Sequence, residues 1–434
     1  ILNKQKKNII ISELTYVKPS IIGILYLLKC LQLKNKCKVI VYYPNIITNK
    51  YRFLRAILGS ILNFKSLLIF LVSGHKIKFL GPKNNKFSSK INSILDKIKT
   101  KEQILNIEIN GIHFGDLIYD NYLRKNSKYT ININDKNLKK FLRTYLEIIY
   151  FWFEFFENYN VKAVNVSHAA YLYAVPMRIA QKYDIPGYIS AINFYEYFDS
   201  KRKSLFTSKY RDHFSTLTAP EKDKVISFTK NILEKKFHPD EEKVLYEQGN
   251  KFVNSFKLNT FGKIKYKNQL KSDEKPNVII FSHCFFDAPH NEGIHLFADY
   301  FEWVEYLGKL SNETDYNWYL KKHPHSVEKQ LNSDVINYFI KKYPKINLLP
   351  TDTNNNEILS NKVDLILTVG GSVGYEYSYY GIPVIMAGDK MSYENYDIGY
   401  QAKNLEEYNY SIKNFSKLRF SYNKEEIYKY YYNL

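Results

Sequence analysis

Thr368-Val369-Gly370-Gly371-Ser372-Val373-Gly374-Tyr375-Glu376 closes an apolar run that begins at Val363, and the change of character at the glycine pair decides how the chain is read. Residues 363–369 have the length and β-branched content of a buried strand. A helix is expected to start after them. Gly370 and Gly371 permit a tight strand-to-helix turn and close approach of a ligand to the main chain, while Ser372 is placed to cap the helix. The first-turn N–H groups around Val373 and Gly374 then form an anion site. Glu376, one turn further in, is suited to accept hydrogen bonds from a ribose diol beyond a phosphate. Turns of this kind also occur in α/β proteins that bind nothing, so the flanking sequence has to weigh in.

It does so on both sides. Downstream, Tyr380-Gly381-Ile382-Pro383-Val384-Ile385-Met386 reads as a helix stop at Gly381 followed by another short strand. Upstream, Trp318-Tyr319-Leu320-Lys321-Lys322-His323-Pro324-His325 reads as a strand ending in a basic, imidazole-bearing loop. Two strand ends with phosphate-suited groups belong to one half of an open parallel sheet, whose ligands sit beyond the carboxyl ends of the strands.

The chain has 434 residues, so two domains of roughly 150–250 residues are expected. The net charge is +20 and the sequence pI about 9.3, which favours an anionic partner. The basic residues are dispersed, and short clusters such as residues 4–7 and 201–203 do not make a nucleic-acid groove; an anionic membrane surface or an anionic substrate is the expected partner. Cys30, Cys37 and Cys284 form neither a disulfide framework nor a metal-ligand spacing, which suggests a reducing, cytoplasmic setting. No apolar run reaches the length of a membrane span, and the start at Ile1 leaves a leader open.

Strands are expected at residues 8–12, 38–43, 161–166 and 187–189, alternating with helices as in a parallel α/β sheet. One helix is expected over 91–105, another from Asp116, which would place Asp116, Asp120 and Arg124 on one face, and a long aromatic one over 138–159. His168 follows the strand 161–166, at the mouth of its sheet, and Arg178 lies on the next helix. A second strand series starts at Asn277, so the domain boundary is expected near 273–276. His283, Asp287 and His290 crowd the loop after that strand, with spacings that fit no common zinc pattern. The segment 411–434 reads as a helix packing back on the first domain.

These pieces together resemble a family: the bacterial capsule and polysaccharide biosynthesis glycosyltransferases of GT-B fold, including the group of capsule Kdo transferases. The matching motifs are Gly115-Asp116-Leu117-Ile118-Tyr119-Asp120 with Arg124, Ser167-His168, His283 with Asp287, Lys322-His323-Pro324, and Thr368 through Glu376 with Gly381-Ile382-Pro383-Val384. The resemblance implies two Rossmann-like domains with parallel sheets facing across a cleft. The acceptor side comprises 1–272 and the nucleotide-sugar side 273–410, with 411–434 returning to the first. It implies Lys322, His323, Pro324, Gly371 and Ser372 at the donor phosphates, Glu376 on the ribose, and His283 and Asp287 toward the donor. No bound metal or other cofactor is expected. Helix N–H groups, His323 and Lys322 suffice to stabilise a departing nucleotide phosphate.

The expected reaction is transfer of a glycosyl unit to a hydroxyl of a growing surface polysaccharide, capsule or O-antigen, on a glycan or lipid-linked glycan acceptor. Asp116 and His168 are the candidate bases, with the carboxylate preferred. Asp120, Arg124 and Arg178 are the candidate acceptor contacts. The expected location is cytoplasmic, peripheral at the inner membrane. The alternatives are a nucleotide-sugar epimerase of the same architecture and, from charge alone, a polyanion-binding protein.

Overall fold

The computed structural model describes residues 6–15, 18–43, 54, 57–59, 61–82, 86–190, 195–200, 214–237, 261, 264, 269–291, 293–323, 330–390, 393 and 396–433. The chain divides into two compact units, residues 1–126 with 131–205, and residues 127–130 with 206–434.

In the first unit β1 (Asn8–Glu13) leads through α1 (Lys18–Asn35) to β2 (Lys38–Tyr42), and α2 (Phe64–Val72) leads to β3 (Lys76–Lys78). After α3 (Gly115–Asn126) and α4 (Leu138–Asn158) come β4 (Asn160–Val166), α5 (Val175–Lys182), β5 (Gly187–Ser190) and β6 (Tyr195–Phe198). The sheet order is β3-β2-β1-β4-β5-β6, parallel except for β6. The chain thus builds outward from β1, then crosses back and lays β4 on the other edge of β1. That reversal is the topological switch point of a Rossmann-type sheet. β1 is buried at every position after Asn8, as a strand covered on both faces must be. The segment 91–105 breaks into two helices, Ser88–Lys97 and Lys101–Leu105, because Thr100 and Gln103 form a capping box that starts a new one.

The second unit repeats the plan. It opens with α6 (Ala219–Phe237), followed by β7 (Asn277–Phe281), α7 (Tyr300–Glu313), β8 (Asn317–Lys321), α8 (Gln330–Lys342) and β9 (Ile346–Leu348). Then come β10 (Leu365–Thr368), α9 (Val373–Tyr379), β11 (Val384–Met386), β12 (Tyr400–Gln401) and α10 (Lys424–Asn433). The order β9-β8-β7-β10-β11-β12 is parallel throughout and reverses between β7 and β10. α9 stops as expected: Gly381 has φ +74, and the N–H groups of Gly381 and Ile382 turn back to the carbonyls of Ser378 and Tyr377.

The division into units falls well ahead of the boundary expected near 273–276. Leu233 and Phe237 of α6 share a core with Ile279, Ile366 and Tyr377, so apolar burial draws α6 onto the second sheet. The C-terminal segment is likewise not one helix from 411. Leu405–Lys413 ends, a short turn of helix covers Phe415–Lys417, and α10 follows. α10 packs on α6 and α9, with Tyr430 5.5 Å from Tyr375 between ring centroids. Its partner α6 is the helix that the sequence reading placed in the first domain.

Candidate functional site

Three neighbouring strands of the second unit, β8, β7 and β10, end side by side, and the residues just past them are tied to one another. After β7, the Ser282 hydroxyl donates to the Lys321 carbonyl (3.0 Å) and accepts from the His323 N–H (3.1 Å), which pins the end of β7 to that of β8. His283 does the same across the switch point. Its Nε2 accepts from the Val369 N–H at 3.2 Å and lies 3.1 Å from the Thr368 hydroxyl, and the Thr368 oxygen accepts from the Gly371 N–H at 3.3 Å. A nitrogen that accepts from an amide carries no proton, so the imidazole holds its proton on Nδ1. The ring stacks on Tyr300 at 4.5 Å and 12°, which fixes its plane. The loop beyond is anchored by the buried Asn332 of α8, whose oxygen accepts from the Phe285 N–H.

Of the donor-side candidates, this geometry gathers His283, Lys322, His323, Gly371 and Ser372 around adjoining strand ends, with Lys322 and His323 half-buried. Asp287 sits in the exposed turn after Phe286. Pro324 lies outside the described residues.

Two expectations about the turn itself, the Ser372 cap and the ribose-facing Glu376, are corrected. Ser372 makes no side-chain capping bond and its backbone is already helical, at φ −57 and ψ −22. The turn is instead held by the Thr368 hydroxyl and by the Tyr393 hydroxyl, which donates to the Gly371 carbonyl at 3.0 Å. Gly371 is not in a positive-φ conformation; the glycine that sterics demand is Gly374, where a Cβ would come within 2.8 Å of both Met386 Cε and Tyr393 Cε2. Glu376 is not turned toward a ligand. It is 1% exposed, and its oxygens accept from Lys236 Nζ at 2.8 Å and Asn355 Nδ2 at 3.2 Å. Lys321 lies in the same interior, its ammonium brought down to about 8 by burial, with Glu376 and Glu357 opposing the shift.

The first unit carries a comparable cluster at its own switch point. Glu13 ends β1 and Ser167 follows β4. The Glu13 carboxyl accepts from the Ser167 N–H and hydroxyl, each at 2.9 Å, and His168 Nδ1 lies 2.9 Å from the same hydroxyl. Glu13 is buried while His168 is exposed. Burial pushes the Glu13 carboxyl from its ordinary 4.5 to about 7, with the Ser167 hydrogen bonds pulling the other way. Tyr42, the register partner of Glu13 on β2, is 2% exposed, and its hydroxyl has no hydrogen-bond partner among the described residues. Beneath the cluster Ser190 donates to Asn165 (2.6 Å), and Asn165 to Ser12 (3.0 Å), a buried ladder across three strands.

The acceptor-side candidates are redistributed. Arg178 grips Asp116 with two bonds of 2.6 and 2.5 Å, and His113 Nδ1 lies 3.4 Å from the same carboxylate. Burial raises the Asp116 carboxyl, but the guanidinium more than offsets it and holds the group below the usual carboxylate range. Asp116 is therefore a poor base, and Arg178 is engaged inside the protein rather than presented to an acceptor. Asp120 is 2% exposed, on the inner face of α3, whereas Arg124 is exposed with its guanidinium 5.9 Å from the Tyr171 ring centre. The three do not share one open face.

Sequence reading missed Glu13 and Ser282 and gave Thr368, which opens the quoted stretch, no role of its own. Their signal was topological: each is the last residue of a strand or the one just after, at the reversal of a sheet order that no single motif reveals. Among the described residues no group of three His, Cys, Asp or Glu gathers to hold a metal ion. A concavity lined by Phe156, Asn160, Lys162, Tyr183 and Pro186 lies at the amino-terminal end of β4, opposite the strand-end cluster of the first unit.

The two sheets, each in the order that reverses beside its first strand, make this chain a two-unit Rossmann-type α/β protein with a polar cluster at each switch point. No family model matches the chain, and no curated protein matches it. Among solved structures it aligns with S. aureus MnaA in complex with UDP (13% identity, covering 95% of this chain and 89% of that one, TM-score 0.27). It also aligns with UDP-GlcNAc 2-epimerase from Neisseria meningitidis bound to UDP-GlcNAc (11%, 98% and 93%, TM-score 0.30) and with a glycosyltransferase from Rickettsia africae ESF-5 (12%, 99% and 93%, TM-score 0.27). At such identities and scores, function rests on the strand-end chemistry of this chain itself.

Proposed function

We propose that this protein is a glycosyltransferase of GT-B type that uses a nucleotide-sugar and elongates a bacterial surface polysaccharide, capsule or O-antigen, on a glycan or lipid-linked glycan. The observation that carries the reading is the His283 bridge across the second unit's switch point, which holds Val369, Thr368 and Gly371 beside Lys322 and His323. Strand ends at a reversal are where sheets of this order take nucleotides. Lys322 and His323 supply positive charge and a hydrogen-bond donor for the departing phosphate, so no metal is required.

In the first unit the hydrogen-bond directions favour His168 over Asp116 as base. When Glu13 is ionised, the Ser167 hydroxyl donates to it and accepts from His168 Nδ1–H, leaving Nε2 as the basic nitrogen. The acceptor hydroxyl gives its proton to Nε2 as its oxygen bonds to the anomeric carbon, and the nucleotide leaves with the electron pair of the broken C–O bond.

The test is a thermal-shift and calorimetric screen with CMP, UDP, GDP and dTDP on the wild type and on His283→Ala. One nucleotide should stabilise the wild type, and its affinity should drop at least about tenfold in the variant, because the Val369 N–H and the Thr368 hydroxyl lose the imidazole that positions the turn. No shift with any of the four overturns the reading. Incubating the preferred nucleotide-sugar without acceptor separates the epimerase alternative, which would return an epimer rather than slowly released nucleotide.

A further inference from the structure

We propose that the first unit docks on an anionic phospholipid bilayer through the outward faces of α1 and α2. Globular proteins scatter their exposed apolar side chains; a contiguous set marks a binding surface. Here Ile22 and Tyr26 are 76% and 70% exposed on α1, and Leu62, Phe64, Leu68 and Val72, just before and along α2, are 84%, 57%, 43% and 79% exposed. The spacing is helical: 22 and 26, then 64, 68 and 72, each one turn apart. The opposite faces are satisfied in the usual way, with Ile21, Ile24, Leu28 and Phe70 in the core of the unit. α1 and α2 pack against one another, which sets the two stripes on neighbouring helices of one unit.

Charge selects the occupant. Between Glu13 and Asp96 there is no acidic residue at all, against fourteen Lys and Arg, so this part of the chain holds most of the net +20. Lys29, Lys34, Lys65 and Lys76 are exposed on or beside the two helices. A second copy of the chain meeting this face symmetrically would set like charges against each other. A bilayer rich in anionic lipid takes both features at once, the apolar side chains at the acyl boundary and the ammonium groups at the phosphates. No helix among the described residues is long and apolar enough to cross a membrane, so the helices lie in the interface. Each lysine that reaches the surface strengthens binding by about fivefold at physiological ionic strength.

The inference stands apart from the reading of the strand-end sites and is tested without any enzymatic assay. The full chain is sedimented with vesicles of phosphatidylcholine alone and of phosphatidylcholine with about a third phosphatidylglycerol, at low and at high salt. Binding should be confined to the anionic vesicles, weaken with salt, and fall at least about tenfold in Leu62→Glu/Val72→Glu and about fivefold in Lys65→Gln. All three positions are exposed, so unchanged circular dichroism and melting show that folding is intact. Absence of wild-type binding to the anionic vesicles overturns the proposal, as does binding that the variants leave unchanged. A concentration-dependent dimer by sedimentation velocity, lost in Leu62→Glu/Val72→Glu, assigns the face to a second copy instead.

Discussion

Glu13 and Ser167 are 154 residues apart in the chain, yet the serine gives both its N–H and its hydroxyl to the glutamate carboxyl, each at 2.9 Å. The pair bridges β1 and β4 at the reversal of the first sheet. It joins a buried carboxyl to an exposed imidazole through one hydroxyl, and the charge on Glu13 contributes to raising the phenols of Tyr42 and Tyr173.

This carboxyl makes stability depend on pH in a definite direction. A folded-state value near 7 against an ordinary 4.5 means that the native protein holds the proton more tightly than the unfolded chain. The contribution is fully present below about pH 4.5 and is lost as pH rises through about 7, on the order of 3 kcal/mol for a shift of this size. Glu13→Gln removes the titration. The variant should gain on the wild type in urea midpoint between about pH 5 and pH 8; parallel midpoints across that range would remove Glu13 as the source.

The ion pair of Glu376 with Lys236 carries a prediction opposite to the one its sequence position suggests. Glu376→Ala leaves Lys236 without its buried counter-charge, Lys321 with only Glu357, and Asn355 without one acceptor. Unfolding free energy should fall by about 3–5 kcal/mol, as for other broken buried pairs, with nucleotide affinity of the folded fraction little changed. If the variant melts like the wild type while nucleotide binding weakens, the carboxylate belongs on the ribose after all.

His323 is predicted to act on turnover. Its backbone is fixed by the Ser282 hydroxyl, a bond that His323→Ala retains, so the variant removes only the imidazole. Steady-state kcat should fall by about 10²–10³-fold with the fold intact, the range for losing one donor to developing charge. A loss below about twofold takes His323 out of the site.

Gly374 links packing to the candidate donor site. Gly374→Ala drives a methyl into Met386 and Tyr393, and Tyr393 holds the Gly371 carbonyl. The expected result is a loss of about 1–3 kcal/mol in stability together with weaker nucleotide binding. Calorimetric melting and titration on one sample check both; an unchanged melting temperature means that the core accommodates the methyl.

Periodicity and turn chemistry made much of the fold legible. The strand runs at Asn8, Lys38, Asn160, Asn277 and Leu365 each carry a core of aliphatic residues, and Gly381 stops its helix where a left-handed residue was expected. The direction of individual side chains was not legible. Glu376 and Asp120 look like surface carboxylates in sequence, but Lys236 and the interior of α3 draw them inward, and Lys236 is 140 residues from its partner. Ser372 looks like a cap because of its type, whereas Thr368 and Tyr393 do the work of holding the turn. Partners so distant leave no local pattern.

The same separation sets an order of events at the ribosome. β1 leaves the exit tunnel well ahead of the strand that brings Ser167 to Glu13, which follows some 150 residues later, roughly eight to thirty seconds at ordinary elongation rates. Until then the central strand of the first sheet has one open edge and an unsatisfied carboxyl at its tip. A nascent chain released before Asn160 should therefore bind chaperones or aggregate, whereas one released after Phe198 has every strand of the first sheet.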